Sequence, residues 1–316
     1  MRKRWFISLL AAAILVAGPA VHAVSKNGFD LTGASIPADE IHHGGPPRDG
    51  IPSIDDPRFV SAADAVFMKP DDRVLGFERG GVARAYPISI LNWHEVVNDR
   101  FGEEPVAVTF CPLCGTGMVF AARVQGRALT LGVSGLLYNS DVLLYDRETG
   151  SLWSQIMAEA ISGPMQGSKL EFLPTAHTTW SDWLARYPDT EVLSPDTGFR
   201  RDYSRDPYAD YVESDALMFP VRFLDARLHP KEQVIGLNIG GEHKAYPFSR
   251  LDAVPGGTLE DRVGGEDVRV EFDAAARTGR VLGPDGEEVA SLIAFWFAWV
   301  AFHPETEVFE ITSSRR

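Results

Sequence analysis

The fold is decided by the stretch Arg73-Val-Leu-Gly-Phe-Glu-Arg-Gly-Gly-Val-Ala-Arg-Ala-Tyr-Pro87. This stretch aligns without gaps on Gln233-Val-Ile-Gly-Leu-Asn-Ile-Gly-Gly-Glu-His-Lys-Ala-Tyr-Pro247. In both copies two apolar segments flank a Gly-Gly pair, a pattern that is typical of a β-hairpin. We therefore predict one hairpin in each copy and an internal duplication of the chain.

A second pair of blocks extends the duplication. Trp180 and Trp183, with the residues after them, correspond to Trp296 and Trp299. We predict three segments: a signal peptide at 1–23, a first unit at 24–215 and a shorter, degenerate second unit at 216–316.

The expected fold class is α+β, with β-rich antiparallel meanders and short helices. Strand-like segments follow one another through turns and do not alternate with long helices. We predict helices at 178–186 and at Ser291–Phe302. The second is apolar on every side, so we expect it to be buried between the two units or against a protein partner.

The amino terminus predicts export. Three basic residues precede an apolar run that ends at Ala17, and small residues lead to Ala23. This pattern is typical of a signal peptide that is cleaved near Ala23, and the run is too short for a stable membrane anchor. We therefore expect a periplasmic or secreted protein with no stable membrane insertion after cleavage.

The net charge excludes one class of partner. The chain of 316 residues carries a formal charge of −14, and the predicted signal segment contains three of its 30 basic residues and none of its 44 acids. Such a negative surface makes nucleic acid an improbable partner.

Chemistry is expected first at Cys111 and Cys114, the only two cysteines, in Val108-Thr-Phe-Cys-Pro-Leu-Cys-Gly115. Two thiols at this spacing form a local disulfide, bind a soft metal or exchange electrons with another thiol pair. The apolar segments on both sides predict a strand–loop–strand arrangement, which favours a metal clamp over a nucleophile at a helix terminus. In the second copy Asp273 stands at the position of Cys111.

His94 is the expected third ligand, because it lies shortly before the cysteine strand and the second copy lacks it as well. Copper is somewhat favoured over zinc, since soft thiolate sites select Cu(I). A buried histidine bonded to a backbone carbonyl is the alternative reading.

Two other functions stay open. In the first, the cysteines form the redox pair of a thiol–disulfide oxidoreductase. In the second, a structural disulfide braces a module that binds a small ligand through His43, Arg147, Glu148 and Trp153, where Arg147 meets a carboxylate and Trp153 forms an apolar wall. The sequence leaves open whether the protein is an enzyme.

Several ordered motifs lie between about 43 and 198, among them Gly45-Pro-Pro-Arg-Asp-Gly-Ile-Pro52, His94-Glu-Val-Val-Asn-Asp99, the Cys-Pro-Leu-Cys segment and Tyr145-Asp-Arg-Glu-Thr-Gly-Ser-Leu-Trp153. Together these motifs resemble a bacterial family known as domain of unknown function 3179. The resemblance implies no particular reaction, and it emphasises Cys111, Cys114 and His94.

Overall fold

The computed structural model describes residues 24–311. The predicted signal peptide at 1–23 lies outside the described residues. Within the described range, no helix is long and apolar enough to cross a membrane.

The described chain is built mainly from short strands. The first half contains β1 (Ser25–Lys26), β2 (Phe29–Asp30), β3 (Ile41–His43), β4 (Phe59–Ser61), β5 (Arg73–Arg79), β6 (Val82–Pro87), β7 (Val96–Phe101), β8 (Glu104–Cys111), β9 (Thr116–Ala121), β10 (Arg123–Val124), β11 (Arg127–Ala128), β12 (Leu131–Tyr138) and β13 (Asp141–Asp146). The second half contains β14 (Leu152–Ser154), β15 (Glu159–Ser162), β16 (Glu171–Leu173), β17 (Ala176–Thr179), β18 (Glu191–Leu193), β19 (Gln233–Ile239), β20 (Glu242–Pro247), β21 (Thr258–Val263), β22 (Glu266–Asp273), β23 (Thr278–Leu282), β24 (Glu288–Val289), β25 (Leu292–Phe295) and β26 (Glu307–Val308).

The helices are too short to form a layer of their own. They are α1 (Ile88–His94), α2 (Trp180–Arg186), α3 (Ala209–Val212), α4 (Phe248–Leu251) and α5 (Trp296–Phe302), with 3-10 turns at Ala38–Glu40 and Pro255–Gly257. The strands make up 42% of the structure and the helices 12%. The α+β prediction is therefore wrong, and the fold is mostly β.

Five sheets of four or five strands are arranged as the blades of a five-bladed β-propeller. Their strand orders are β15-β14-β13-β12-β3 in sheet I, β16-β9-β8-β7 in sheet II, β17-β5-β6-β18-β4 in sheet III, β25-β19-β20-β26 in sheet IV and β21-β22-β23-β24 in sheet V. Neighbouring strands are antiparallel except for the β6–β18 and β20–β26 pairs.

Sheets III and IV contain the two aligned hairpins, and both are found where the sequence predicted them. In each, a glycine in the first strand of the hairpin packs under a tryptophan of a helix later in the chain, α2 for sheet III and α5 for sheet IV. A Cβ on Gly76 would lie 2.2 Å from the Trp183 ring, and a Cβ on Gly236 would lie 2.3 Å from the Trp299 ring. The absence of a side chain at these glycines lets each indole lie against its strand.

Sheets II and V share another feature: in each, a glycine leaves room for a side chain of a neighbouring sheet. Gly117 of sheet II leaves room for Leu75 of sheet III, and Gly279 of sheet V leaves room for Ile235 of sheet IV. Sheet V also contacts sheet III through β23 and β17, while sheet II contacts sheet IV through β9 and β25. Sheet I contacts sheet II through β12 and β7, and its Tyr138 ring packs on Phe302 of α5, the helix that follows β25 of sheet IV.

The prediction of one helix over Ser291–Phe302 is wrong. The first part of this segment is β25, which pairs with β19, and only Trp296–Phe302 is helical. Nearly all of its side chains are buried within the chain itself. Packing inside the fold thus explains the apolar character of the segment. A protein partner at this segment stays a prediction.

We predict that Gly76→Ala destabilises the protein by roughly 1–3 kcal/mol, because the added methyl group overlaps the Trp183 ring. The free energy of unfolding from urea titration measures the effect. Ser25→Thr adds a methyl group at an exposed strand position and is expected to change stability by less than about 0.5 kcal/mol. Equal stability of both variants would contradict this packing role.

Candidate metal centre

The cysteines lie in the loop that joins β8 to β9. Cys111 is the last residue of β8 and pairs with Thr116, the first residue of β9. The amide of Cys114 donates to the carbonyl of Cys111 at 3.2 Å, and Gly115 closes the loop with a φ of 64°. The predicted strand–loop–strand arrangement is present, and the two cysteines are not joined by a disulfide.

A second tight turn approaches the cysteine loop. Asn139 and Ser140 connect β12 to β13, and their φ angles are 50° and 66°. Positive φ at both central residues is the requirement of a type I′ hairpin turn, which asparagine tolerates well. Asn139 is held on both sides, because its amide donates to the Ala301 carbonyl at 3.1 Å and accepts from the Arg222 amide at 2.8 Å.

The two turns bring three potential ligands together. One donor atom each from Cys111, Cys114 and Asp141 lies within 4.8 Å of the others, and all three residues are buried. Both thiols also point toward the Ser140 carbonyl, at 3.4 Å from Cys114 Sγ and 3.9 Å from Cys111 Sγ. Two sulfurs and one carboxylate oxygen at one point form a donor set that suits a metal ion.

Asp141 contributes an oxygen atom that the protein leaves unsatisfied. Its Oδ2 accepts from the Ile156 amide at 3.1 Å, whereas its Oδ1 is buried and has no hydrogen-bond partner. Burial raises the pKa of Asp141 to about 7, although the amides of Ile156 and Val142 and the thiols of Cys111 and Cys114 oppose this shift. An unpartnered buried carboxylate oxygen is costly, and a bound cation would remove that cost.

Glu95 adds a second buried carboxyl group beside this cluster. It follows α1 in a left-handed conformation, with a φ of 59°. Burial, with the nearby Asp141, raises its pKa to about 8. Burial also raises the thiol pKa values of Cys111 and Cys114. The described residues thus place four acidic groups together, and no basic side chain is among the causes that shift their pKa values.

His94 is engaged elsewhere. Its Nδ1 lies 2.7 Å from the Pro52 carbonyl and its Nε2 lies 2.6 Å from the Tyr203 hydroxyl. A place for His94 in the coordination sphere would require the loss of one of these bonds, so its role as a ligand stays a prediction. The next residue, Glu95, is instead the one whose charge interacts with Asp141 and Cys111.

The other candidate ligand-binding residues do not converge on one site. Trp153 is fully buried, and its indole donates to Asp146 at 2.8 Å. Arg147 pairs with Asp55 at 2.7 Å, while Glu148 accepts from the Thr130 amide at 2.9 Å. His43 lies exposed on β3 at the edge of sheet I. Trp153 is therefore a core residue and cannot form the wall of an exposed site.

The corresponding loop of sheet V shows that this turn needs no cysteines. There Asp273 ends β22, and its carboxylate accepts from the Ala275 and Ala276 amides at 2.8 and 2.9 Å. Arg277 has a φ of 46°, at the position that corresponds to Gly115. Because the same hairpin closes with an aspartate cap, the thiols of Cys111 and Cys114 are available for a role other than closing their loop.

Comparison with known proteins identifies the family. The profile described as "Protein of unknown function (DUF3179)" matches residues 48–282. No curated protein and no solved structure matches the chain. The match covers most of the chain and confirms the resemblance of the motifs, so the protein belongs to the DUF3179 family.

Proposed function

We propose that the protein binds one divalent soft metal ion, best Zn²⁺, through Cys111, Cys114 and Asp141. The observation that carries this proposal is the environment of Asp141. Its Oδ1 atom is buried without a hydrogen-bond partner, and its carboxylate lies within 4.8 Å of both sulfur atoms. A metal ion would give this oxygen a partner and would favour the thiolate form of both cysteines.

Charge balance supports a divalent ion. Two thiolates and one carboxylate carry three negative charges in a buried place, where uncompensated charge is strongly unfavourable. Without a metal, the groups avoid this cost by keeping their protons, as their raised pKa values indicate. A divalent ion neutralises most of the charge and displaces the protons.

The donor set changes the preferred metal. The expectation of copper assumed two thiolates and an imidazole, whereas the structure offers a carboxylate as the third donor. Carboxylate is a hard ligand that Zn²⁺ accepts readily, while Cu(I) prefers sulfur donors. The set therefore favours zinc over copper. Glu95, whose charge interacts with that of Asp141, adds negative charge near the site and would further favour a cation there.

The geometry gives no comparable support to thiol–disulfide exchange. An attacking cysteine needs exposure and a lowered pKa, whereas burial raises the pKa of both thiols. If the protein is exported, as its amino-terminal sequence predicts, a bound metal would also protect the thiols from pairing in an oxidising compartment.

The first test is a zinc titration of reduced, metal-free protein, followed by calorimetry with a competing chelator. We expect one Zn²⁺ per chain, with the affinity lowered at least about tenfold by Cys111→Ser or Asp141→Asn, because each removes one ligand. Asp55→Asn, which changes an acid of the Arg147 ion pair, is the matched control and should retain full affinity. Unchanged zinc affinity in both ligand variants would refute the proposal.

The second test concerns the pH dependence of the metal-free protein. The pKa of Glu95 is about 8 in the folded state, above its ordinary value of 4.5. Between pH 4.5 and about 8, therefore, Glu95 keeps its proton in the folded state and has lost it in the unfolded state. We expect the free energy of unfolding to fall as pH rises through this window.

Glu95→Gln removes the ionisable carboxyl group, so the free energy of unfolding should fall less steeply with pH in this variant. Saturating zinc should stabilise the wild-type protein most at the highest pH of this range. Urea titrations at pH 5, 6.5 and 8 measure both effects. Identical pH profiles for wild type and Glu95→Gln would show that Glu95 does not titrate as described.

A further inference from the structure

A cavity of about 540 Å³ lies where sheets II, III, IV and V converge. Matched positions of the duplicated segments face it, since Arg73 corresponds to Gln233 and Asp71 to Lys231. The cavity therefore lies between the two copies. Its volume falls in the range of roughly 300–1,000 Å³ that is common for small-molecule sites.

Arg73 brings a half-buried positive charge to the cavity wall. It donates only to backbone carbonyls, those of Ala276 at 2.6 Å, His177 at 2.7 Å and Arg277 at 3.1 Å. Burial, together with the nearby Arg277 guanidinium, lowers the pKa of Arg73 to about 10, and the charge of Asp182 opposes this shift. The carbonyls fix the orientation of the guanidinium, and no carboxylate of the described residues forms an ion pair with it.

Lys231 places a second basic group in the cavity wall. Its ammonium donates to the carbonyls of Tyr211 and Ser214, both at 2.7 Å, and lies 3.5 Å from the centre of the Tyr211 ring. Arg277 is the third basic residue of the lining, and it pairs with Asp252 at 3.0 Å. The lining thus contains three basic residues against two acidic ones, Asp71 and Asp206, a small positive excess in a chain with a net charge of −14.

His177 also lines the cavity. Its side chain is 7% exposed, and its Nδ1 is buried without a hydrogen-bond partner. A small rotation of the imidazole would bring this nitrogen to a bound molecule, where it would gain the partner that it lacks. Arg73, whose guanidinium donates to the His177 carbonyl, lies beside it.

The acidic residues of the lining do not balance this charge. Asp206 is held by the Asn92 side chain at 3.0 Å and by the Tyr208 amide at 2.8 Å. Asp71 is exposed at the rim. Neither forms an ion pair with Arg73 or Lys231 among the ion pairs of residues 24–311.

The remaining wall is largely apolar and includes Ile88, Phe110, Pro112 and Phe295. A ligand that fits such a site has an apolar body and one anionic group. We propose that this central cavity binds a small organic carboxylate, with the carboxylate at Arg73 and His177 and its apolar body against Phe110 and Phe295.

This proposal does not depend on the metal. The cysteine loop contributes Pro112 and Gly115 to the wall, whereas Cys111 and Cys114 are buried and do not line the cavity. Binding is therefore measured in the presence of EDTA, so that coordination of the carboxylate to a metal ion does not contribute. Failure of the zinc titration leaves this proposal unaffected, and the reverse also holds.

Isothermal titration calorimetry with benzoate and isovalerate as probes tests the proposal. Benzyl alcohol reports the contribution of the carboxylate charge, and inorganic phosphate reports binding of an anion without an apolar body. We expect at least one of the two carboxylates to bind, and both benzyl alcohol and phosphate to bind at least about tenfold more weakly.

Two variants probe the cavity itself. Arg73→Gln removes the charge, and Gln233→Glu adds a negative charge at the matched position of the other copy without changing side-chain size. Each should weaken carboxylate binding about tenfold or more, whereas Arg79→Gln, at an exposed position of the same hairpin, should not. If Arg73→Gln fails to fold, Gln233→Glu decides the question.

Three results would overturn the proposal: no binding of either carboxylate, equal binding of benzyl alcohol, or phosphate binding as tight as that of the carboxylates. Full affinity in Gln233→Glu would likewise place the ligand outside this cavity.

Discussion

Two tight turns meet inside the core, and their contact brings the proposed metal ligands together. The Cys111–Gly115 loop and the Asn139–Ser140 turn bring two thiols and one carboxyl group into a space without access to water. Ionisation of these groups is unfavourable there without a counter-charge, and burial accordingly raises the pKa values of all three. The proposed metal ion would supply that counter-charge, whereas without it the groups retain their protons more readily than they do in water.

Sheets II and V indicate that the cysteines are not needed to close their turn. Sheet V closes the corresponding turn with an aspartate that caps backbone amides. The aligned segments also differ around the cavity between sheets II, III, IV and V, which is lined by Arg73 in the first segment and by Gln233 at the matched position of the second. The proposed ligands Cys111 and Cys114 thus lie in only one of the two aligned segments, whereas both segments contribute a basic residue to the cavity, Arg73 in the first and Lys231 in the second.

Local features could be predicted from the sequence because neighbouring residues determine them. The Gly-Gly hairpins, the strand–loop–strand placement of the cysteines and the start of a helix near Trp180 all follow from short-range patterns. The fold class could not be predicted in this way, because short helices suggested a mixed fold while the many brief strands assemble into five sheets. Ser291–Phe302 shows the same difficulty, since burial makes strand and helix equally apolar there.

The third ligand depends on a contact between segments that are distant in sequence. Asp141 lies far from the cysteines along the chain, whereas His94 is closer and seemed the better candidate. One signal was available: Asp141 follows a turn and begins the apolar strand Val142–Tyr145, where an acidic side chain is out of place. A buried acid at such a position indicates a specific partner. Sequence alone does not show that this partner lies in the cysteine loop.

X-ray absorption spectroscopy of the zinc-loaded protein reports the atoms bound to the metal. We expect two sulfur atoms near 2.3 Å and one or two oxygen atoms near 2.0 Å from the zinc. Loss of the sulfur shell in Cys111→Ser/Cys114→Ser would confirm the assignment. A wild-type spectrum without sulfur ligands would contradict it.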